Sequence, residues 1–273
     1  MLNLIKMDIY RLFHSRAVKL GAVVAAAVAF LAMLLNLGIL EIIKFGMKDN
    51  LTSVEEMAIV FPIVSWLYGV DFADVIFTGT NAFALFISCI IVSSFVGAEQ
   101  SCGYVKNIAG QLPNRGMTIV SKFIVTCLVQ LIILLIYTIV SSICATLFFR
   151  SYINAHSIGV LIEGLLLRFL LFCAINAVVL FFCTLTKSHA IAMVVGAIFG
   201  IGATNIAYLG ASGLLSVLKI DLNVAHIMPD GINSLISVSS LGEIAVKAIV
   251  VSVVVIAGFL TGAVLLFKNR DVK

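Results

Sequence analysis

Residues Phe123–Phe149 read FIVTCLVQLIILLIYTIVSSICATLFF, a run of 27 positions without one charged side chain. A helix rises about 1.5 Å per residue, so ~20 apolar residues are enough to cross the hydrocarbon core of a membrane. This run is therefore long enough to span, with its backbone groups hydrogen-bonded inside the helix. An outer-membrane barrel would need short alternating segments instead.

Other charge-poor runs repeat this pattern along the chain. Together they predict an all-α membrane protein of one transmembrane domain, residues 1–273, with six spans at about residues 18–40, 75–98, 123–149, 161–186, 188–208 and 244–267. The fifth apolar run, Ser188–Leu218, is too long for one crossing. We expect its span to end near Tyr208 and the remainder to bend back at the outer surface as short re-entrant helices.

Composition excludes other classes of protein. Hydrophobic residues make up 62% of the chain and charged residues 11%, against about 45–50% and about 25% in soluble domains. A soluble enzyme or a disordered chain is therefore excluded. The sequence contains no HExxH, GxSxG, GxGD or GxxxxGK[ST] pattern, no CxxC and no clustered histidines, so we predict no catalytic residue, no bound cofactor and no metal site. Its cations form no long run, which argues against a nucleic-acid partner.

The distribution of charge sets the expected orientation. With the N-terminus in the cytoplasm, the inner segments hold eleven cations and three acids, a net +8. The outer segments then hold six cations and ten acids, a net −4. Because cytoplasmic loops are enriched in Lys and Arg, this asymmetry predicts that both termini are cytoplasmic.

The N-terminal residues 1–17 have the pattern of an amphipathic helix. Its apolar side chains share a sector of about 100°, and they are Leu2, Ile5, Ile9, Leu12 and Phe13. The wheel places Asp8 and Arg11 outside that sector. Such a helix would lie in the headgroup plane as an elbow before the first span. The alternative is a positively charged topology anchor with no further role.

Gly97–Lys122 is the only long inner loop in this topology. Tyr104, Ile108 and Leu112 recur at i and i+4, so they would share one face of a helix. The pattern predicts a short amphipathic helix on the cytoplasmic side, suited to a soluble partner. The alternative is an ordinary loop that carries positive-inside charges.

Two charges, Glu163 and Arg168, lie near or inside a span and are candidates for function by default. They are separated by 140° on a helix wheel, so they do not share a face. The alternative is that both snorkel to the outer interface. The uncharged polar residues within spans are expected to bridge helices, and they are Asn36, Asn81, Gln130, Asn176 and Asn205.

The inner loop carries the most specific motif. Glu99-x3-Gly103-x2-Lys106, followed by Pro113-x-Arg115 and Lys122, resembles the E…G…K…R…K stretch that forms the coupling helix of type-2 ATP-binding-cassette (ABC) exporters. The chain end, Phe267–Asp271, is similar to the closing F…RD of their membrane subunits. The resemblance covers the whole chain, including the elbow helix and the six spans.

This resemblance implies a permease of a bacterial cell membrane that exports a hydrophobic or amphipathic substrate. It implies two copies of a separate ATPase that binds ATP and Mg, a second permease that is identical or homologous, and no enzymatic activity in this chain. The implied ATPase-coupling residues are Glu99, Gly103, Tyr104, Lys106, Ile108, Leu112 and Arg115. The alternatives are a membrane scaffold or assembly protein without transport, and an ion-coupled carrier.

Overall fold

The computed structural model describes residues 2–46, 72–79, 83–101, 116–148, 158–186, 188–217 and 224–269. Ten α-helices lie in these ranges: α1 Leu2–His14, α2 Arg16–Gly46, α3 Phe72–Gly79, α4 Leu85–Ser101, α5 Met117–Phe148, α6 Ile158–Thr186, α7 His189–Ile201, α8 Ala203–Val217, α9 Pro229–Leu235 and α10 Leu241–Asn269. A 3₁₀ turn, Val224–His226, precedes α9. No strand occurs in the described ranges.

Four helices are long and apolar enough to cross a membrane, namely α2, α5, α6 and α10. The bent pair α7 and α8 makes a fifth if it is counted as one span. The prediction of an all-α, multi-pass membrane protein is confirmed at this level. The described helices give four or five candidate spans rather than the predicted six.

The second predicted span, residues 75–98, differs most from the structure. It falls on two helices, α3 and α4, and residues 80–82 between them lie outside the described residues. The apolar part of α4, Leu85–Ala98, is shorter than a spanning helix. The first of these helices ends at Gly79, and glycine is a weak helix former.

The fifth predicted span is broken at Gly202. There α7 ends and α8 leaves at an angle of 70°. Gly202 has φ 74°, in the left-handed region, and its N–H caps the carbonyls of Phe199 and Ile198. This is the usual way in which a glycine terminates a helix. The break therefore comes six residues before the expected boundary near Tyr208, which lies inside α8.

Helix α6 is the central helix of the bundle, since 67% of its apolar window is buried against 11% for α10. Around it, α4 and α7 pack closely through glycine. A Cβ added to Gly200 of α7 would lie 2.5 Å from the Cα of Phe86 in α4. The Gly196/Gly200 pair therefore lies at a helix contact within this chain, between α7 and α4.

Helix α1 is present as predicted, but its buried face is rotated from the predicted apolar sector. Leu12 is fully buried and Ile9 packs on the core, whereas Phe13, which the wheel assigns to the apolar sector, is 53% exposed. Asp8, assigned to the polar side, is only 2% exposed. The rotation follows from a hydrogen bond that Asp8 accepts from α5, described below.

Candidate functional site

Arg168 is among the largest side chains buried in the protein, with 1% of its surface exposed. One terminal nitrogen donates to Asn233 Oδ1 at 3.3 Å, and the other donates to the Ile236 carbonyl at 3.2 Å. The guanidinium lies 5.1 Å from the centre of the Phe77 ring, within range of a cation–π interaction. Arg168 is thus held by groups from α3, from α9 and from the residue after α9.

The opposite charge near Arg168 comes from Asp74 of α3. Asp74 also accepts a hydrogen bond of 2.8 Å from the Val238 N–H. Gly164 makes room for this arrangement, since an added Cβ would lie 2.1 Å from the Phe77 ring. Arg168 therefore does not snorkel to the surface. Glu163, on the other face of α6, is exposed.

A second buried acid lies one turn of α9 away from Asn233. Asp230 is 5% exposed. Its carboxylate accepts a short hydrogen bond from the Thr204 hydroxyl and one of 2.7 Å from the Tyr208 hydroxyl. Both donors lie in α8, so Asp230 fastens α8 to α9 directly after the break at Gly202.

A cavity of about 100 Å³ lies beside this acid. Its polar wall consists of Asn205, Asp230, Asn233 and Ser234, and Leu85 and Phe199 form part of the apolar wall. Asn233 both lines the cavity and accepts from Arg168. These side chains together form what we call the Arg168–Asp230 cluster: Asp74, Arg168, Thr204, Tyr208, Asp230 and Asn233.

A smaller polar group lies where α1 meets α5. The Ser121 hydroxyl donates to Asp8 Oδ2 at 2.7 Å. Lys122, 3% exposed, lies next to it and interacts electrostatically with Asp8. We call these three residues the Asp8–Lys122 cluster. It fixes α1 to the helix that follows the predicted coupling segment.

One polar residue within the spans bridges helices as predicted. Asn176 of α6 donates from Nδ2 to the Thr126 hydroxyl of α5 at 2.8 Å. Gln130 is fully buried, and within the described residues neither polar atom of its side chain has a hydrogen-bond partner. Asn205 lines the cavity at the helix break instead.

The predicted coupling residues lie mostly outside the described residues. Glu99 belongs to the last turn of α4, which ends at Ser101. Gly103, Tyr104, Lys106, Ile108, Leu112 and Arg115 all fall in the undescribed range 102–115. The sequence pattern alone supports their proposed role.

Sequence reasoning identified Arg168 but none of its partners. Asp74, Asp230 and Asn233 lie in short helices, where acids and amides are ordinary. The one available signal was Pro229-Asp230, because proline followed by an acid is typical of a helix start. It marks the start of α9 without indicating which side chains meet there.

We compared the chain with protein-family models, curated proteins and solved structures, and none of them matches it. The fold and the buried polar clusters define a multi-pass membrane protein.

Proposed function

We propose that this chain is the permease subunit of an ATP-driven exporter of the type-2 ABC class. The observation that carries the proposal is the E…G…K…R…K motif in the stretch of chain between α4 and α5. Its segment joins α4 to α5, and the first turns of α5 are fastened to α1 by the hydrogen bond between Ser121 and Asp8. A force on residues 102–115 would therefore act on three helices at once.

In this proposal the chain performs no covalent chemistry. Two ATPase subunits bind ATP and Mg, and their closure pushes on the segment around Tyr104 and Ile108. Helix α5, 32 residues long, carries that displacement along its length as a rigid element. The spans then exchange between inward-open and outward-open arrangements, which is a conformational equilibrium biased by ATP.

The partners follow from the same proposal. The transporter would contain a second permease, identical or homologous to this one, in contact with membrane lipids. Helices α2 and α10 support this, because 22% and 11% of their apolar windows are buried within the chain. The outer faces of both helices are apolar and are available to lipid or to that second permease. Both termini would lie in the cytoplasm of a bacterial cell.

The proposed substrate is hydrophobic or amphipathic, such as a peptide antibiotic, a drug or a lipid-like molecule. The apolar interior supports this class, since polar solutes need hydrogen-bonding groups along their path.

The test measures ATPase binding and coupling. The double variant Tyr104→Ala with Ile108→Ala removes two apolar anchors from the predicted helix face, and truncating such anchors typically costs ~2 kcal/mol or more. We expect it to lose the ATPase in a pull-down, or to keep it without substrate-stimulated ATP hydrolysis in vesicles. Lys106→Ala, a rim charge, is the milder and more salt-sensitive control.

Retention of both properties at wild-type level by the double variant would contradict the coupling role. A scaffold or assembly protein would bind its partner but show no substrate-stimulated ATP hydrolysis. The same assay therefore separates that alternative from the permease.

An ion-coupled carrier is the second candidate. It is favoured by the buried Arg168 and Asp230 beside the break between α7 and α8, because carriers commonly place charges at interrupted helices. In vesicles, transport by such a carrier would stop when an ionophore dissipates the ion gradient. Transport by the proposed permease would instead require ATP.

A further inference from the structure

Residues with oxygen-bearing side chains form the polar part of the cavity lining at the break between α7 and α8. Asp230 contributes a carboxylate, Asn205 and Asn233 contribute amides, and Ser234 contributes a hydroxyl. The Ser234 hydroxyl donates its proton to the Gly231 carbonyl at 2.7 Å, so its oxygen lone pairs are free to face a cation. The cavity of about 100 Å³ has room for one ion and a few water molecules.

Of the described residues that line the cavity, only Asp230 carries a charge, so its carboxylate makes this lining negative. Its hydrogen-bond donors, Thr204 and Tyr208, are neutral hydroxyls, so they satisfy lone pairs without neutralising the charge. The guanidinium of Arg168 is directed to Asn233 and to the Ile236 carbonyl, and Asp74 offsets its charge. A buried charge that lacks a counter-ion is costly.

The end of α7 adds to the negative potential. Gly200 and Ile201, the last residues of that helix, line the cavity. The C-terminus of a helix carries partial negative charge, since its last carbonyls lack partners within the helix. Interrupted membrane helices use such ends to coordinate Na⁺.

We propose that this cavity binds one small monovalent cation of the size of Na⁺, held by Asp230, Asn205, Asn233, Ser234 and the C-terminal end of α7. A single carboxylate with neutral oxygens balances one positive charge, whereas divalent ions usually recruit more carboxylates. The bound ion would join α7, α8 and α9 and so fix the 70° bend between α7 and α8. This inference holds for an ATP-driven exporter and for a carrier alike.

The test uses the full-length protein, purified in detergent. Thermal unfolding is followed in NaCl and in choline chloride at equal ionic strength, and binding of radioactive ²²Na⁺ is measured directly. We expect Na⁺ to raise the melting temperature by several degrees in a saturable manner, and ²²Na⁺ to bind at one site per chain. Stabilisation by Ca²⁺ but not by Na⁺ would overturn the assignment to a monovalent ion.

The variants locate the ion. Asp230→Asn should abolish both the Na⁺-dependent shift and ²²Na⁺ binding, whereas Glu243→Gln, an exposed acid at the start of α10, should keep both. If Asp230→Asn fails to fold, Asn205→Leu retains the carboxylate and should weaken Na⁺ binding at least tenfold. The proposal is overturned if the wild type shows no Na⁺ effect, if Asp230→Asn keeps a full one, or if Asn205→Leu binds as the wild type does.

Discussion

At the scale of single residues, the polar groups that matter are the buried ones with partners distant in sequence. Arg168 receives its hydrogen-bond acceptors from positions 65 and 68 residues later. Asp8 is bonded to a serine 113 residues later. In a membrane protein these bonds replace those that water would offer, so the loss of one partner leaves the other buried and unsatisfied.

The first prediction concerns Arg168. Arg168→Ala removes a buried guanidinium that donates to Asn233 and to the Ile236 carbonyl, and a hydrogen bond to a charged group typically contributes about 1.5–3 kcal/mol. We expect a clear fall in the melting temperature of the purified protein. Glu163→Ala, an exposed position on the same helix, should change it little. Equal, small shifts in both variants would contradict the burial of Arg168.

The second prediction concerns Asp8 and Ser121. A hydrogen bond to a charged group contributes about 1.5–3 kcal/mol. A double-mutant cycle with Asp8→Ala and Ser121→Ala should therefore give a coupling free energy above 1 kcal/mol. The control cycle pairs Ser121→Ala with Lys6→Ala, an exposed position on α1, and should give a value near zero. Additive effects of Asp8 and Ser121 would show that the two side chains do not interact.

Sequence reasoning singled out one residue of each polar cluster but did not identify the residues that it contacts. Arg168 is conspicuous because a charge interrupts an apolar run. Asp230 is not, since it lies in a short polar segment. The helix wheel placed Asp8 outside the apolar sector because wheels assume that polar residues face away from the core. The hydrogen bond from Ser121 reverses that assumption.

At the scale of helices, uninterrupted apolar runs were predictable and breaks were not. Helices α2, α5, α6 and α10 begin within six residues of the predicted spans, because a long apolar run needs no tertiary information to be identified. The fifth run contains several glycines, of which only Gly202 adopts positive φ. Gly200 instead packs against Phe86, and Gly210 meets no neighbour within 4 Å. Packing against other helices decides which glycine ends the helix, and the local sequence does not indicate it.

The third prediction compares two of these glycines. Gly202→Ala places a side chain in the left-handed region, at a cost of about 1 kcal/mol. Gly210→Ala, in the interior of α8 with open space around it, should stabilise the protein by up to about 1 kcal/mol through helix propensity. Melting temperatures in detergent should therefore move in opposite directions. Stabilisation by Gly202→Ala would mean that α7 and α8 form one continuous helix.

At the scale of the whole molecule, the chain has two polar ends joined by apolar helices. The Asp8–Lys122 cluster lies at the N-terminal end of α5, and the Arg168–Asp230 cluster lies in the N-terminal half of α6 and at the C-terminal end of α7. In the proposed topology, which the distribution of Lys and Arg along the sequence predicts, the first end is cytoplasmic and the second is outside.

The fourth prediction tests that orientation by labelling single cysteines in a cysteine-free background. His14 and Ser239 are suitable because both are exposed and lie near opposite clusters. A membrane-impermeant thiol reagent should label position 239 in intact cells, and should label position 14 only after the membrane is permeabilised. Labelling of position 14 in intact cells would reverse the proposed topology.

The hydrogen bonds of Arg168 can form only after the acceptor residues have been synthesised. Its acceptor Asn233 is made 65 residues later, which takes roughly 3–13 s at about 5–20 residues per second. Throughout that interval the Arg168 side chain lacks the acceptor that α9 will supply. We therefore expect α6 to pack beside α3, whose Asp74 is made earlier, before α9 is added. Final packing of the central helix is accordingly a late step, governed by the last quarter of the chain.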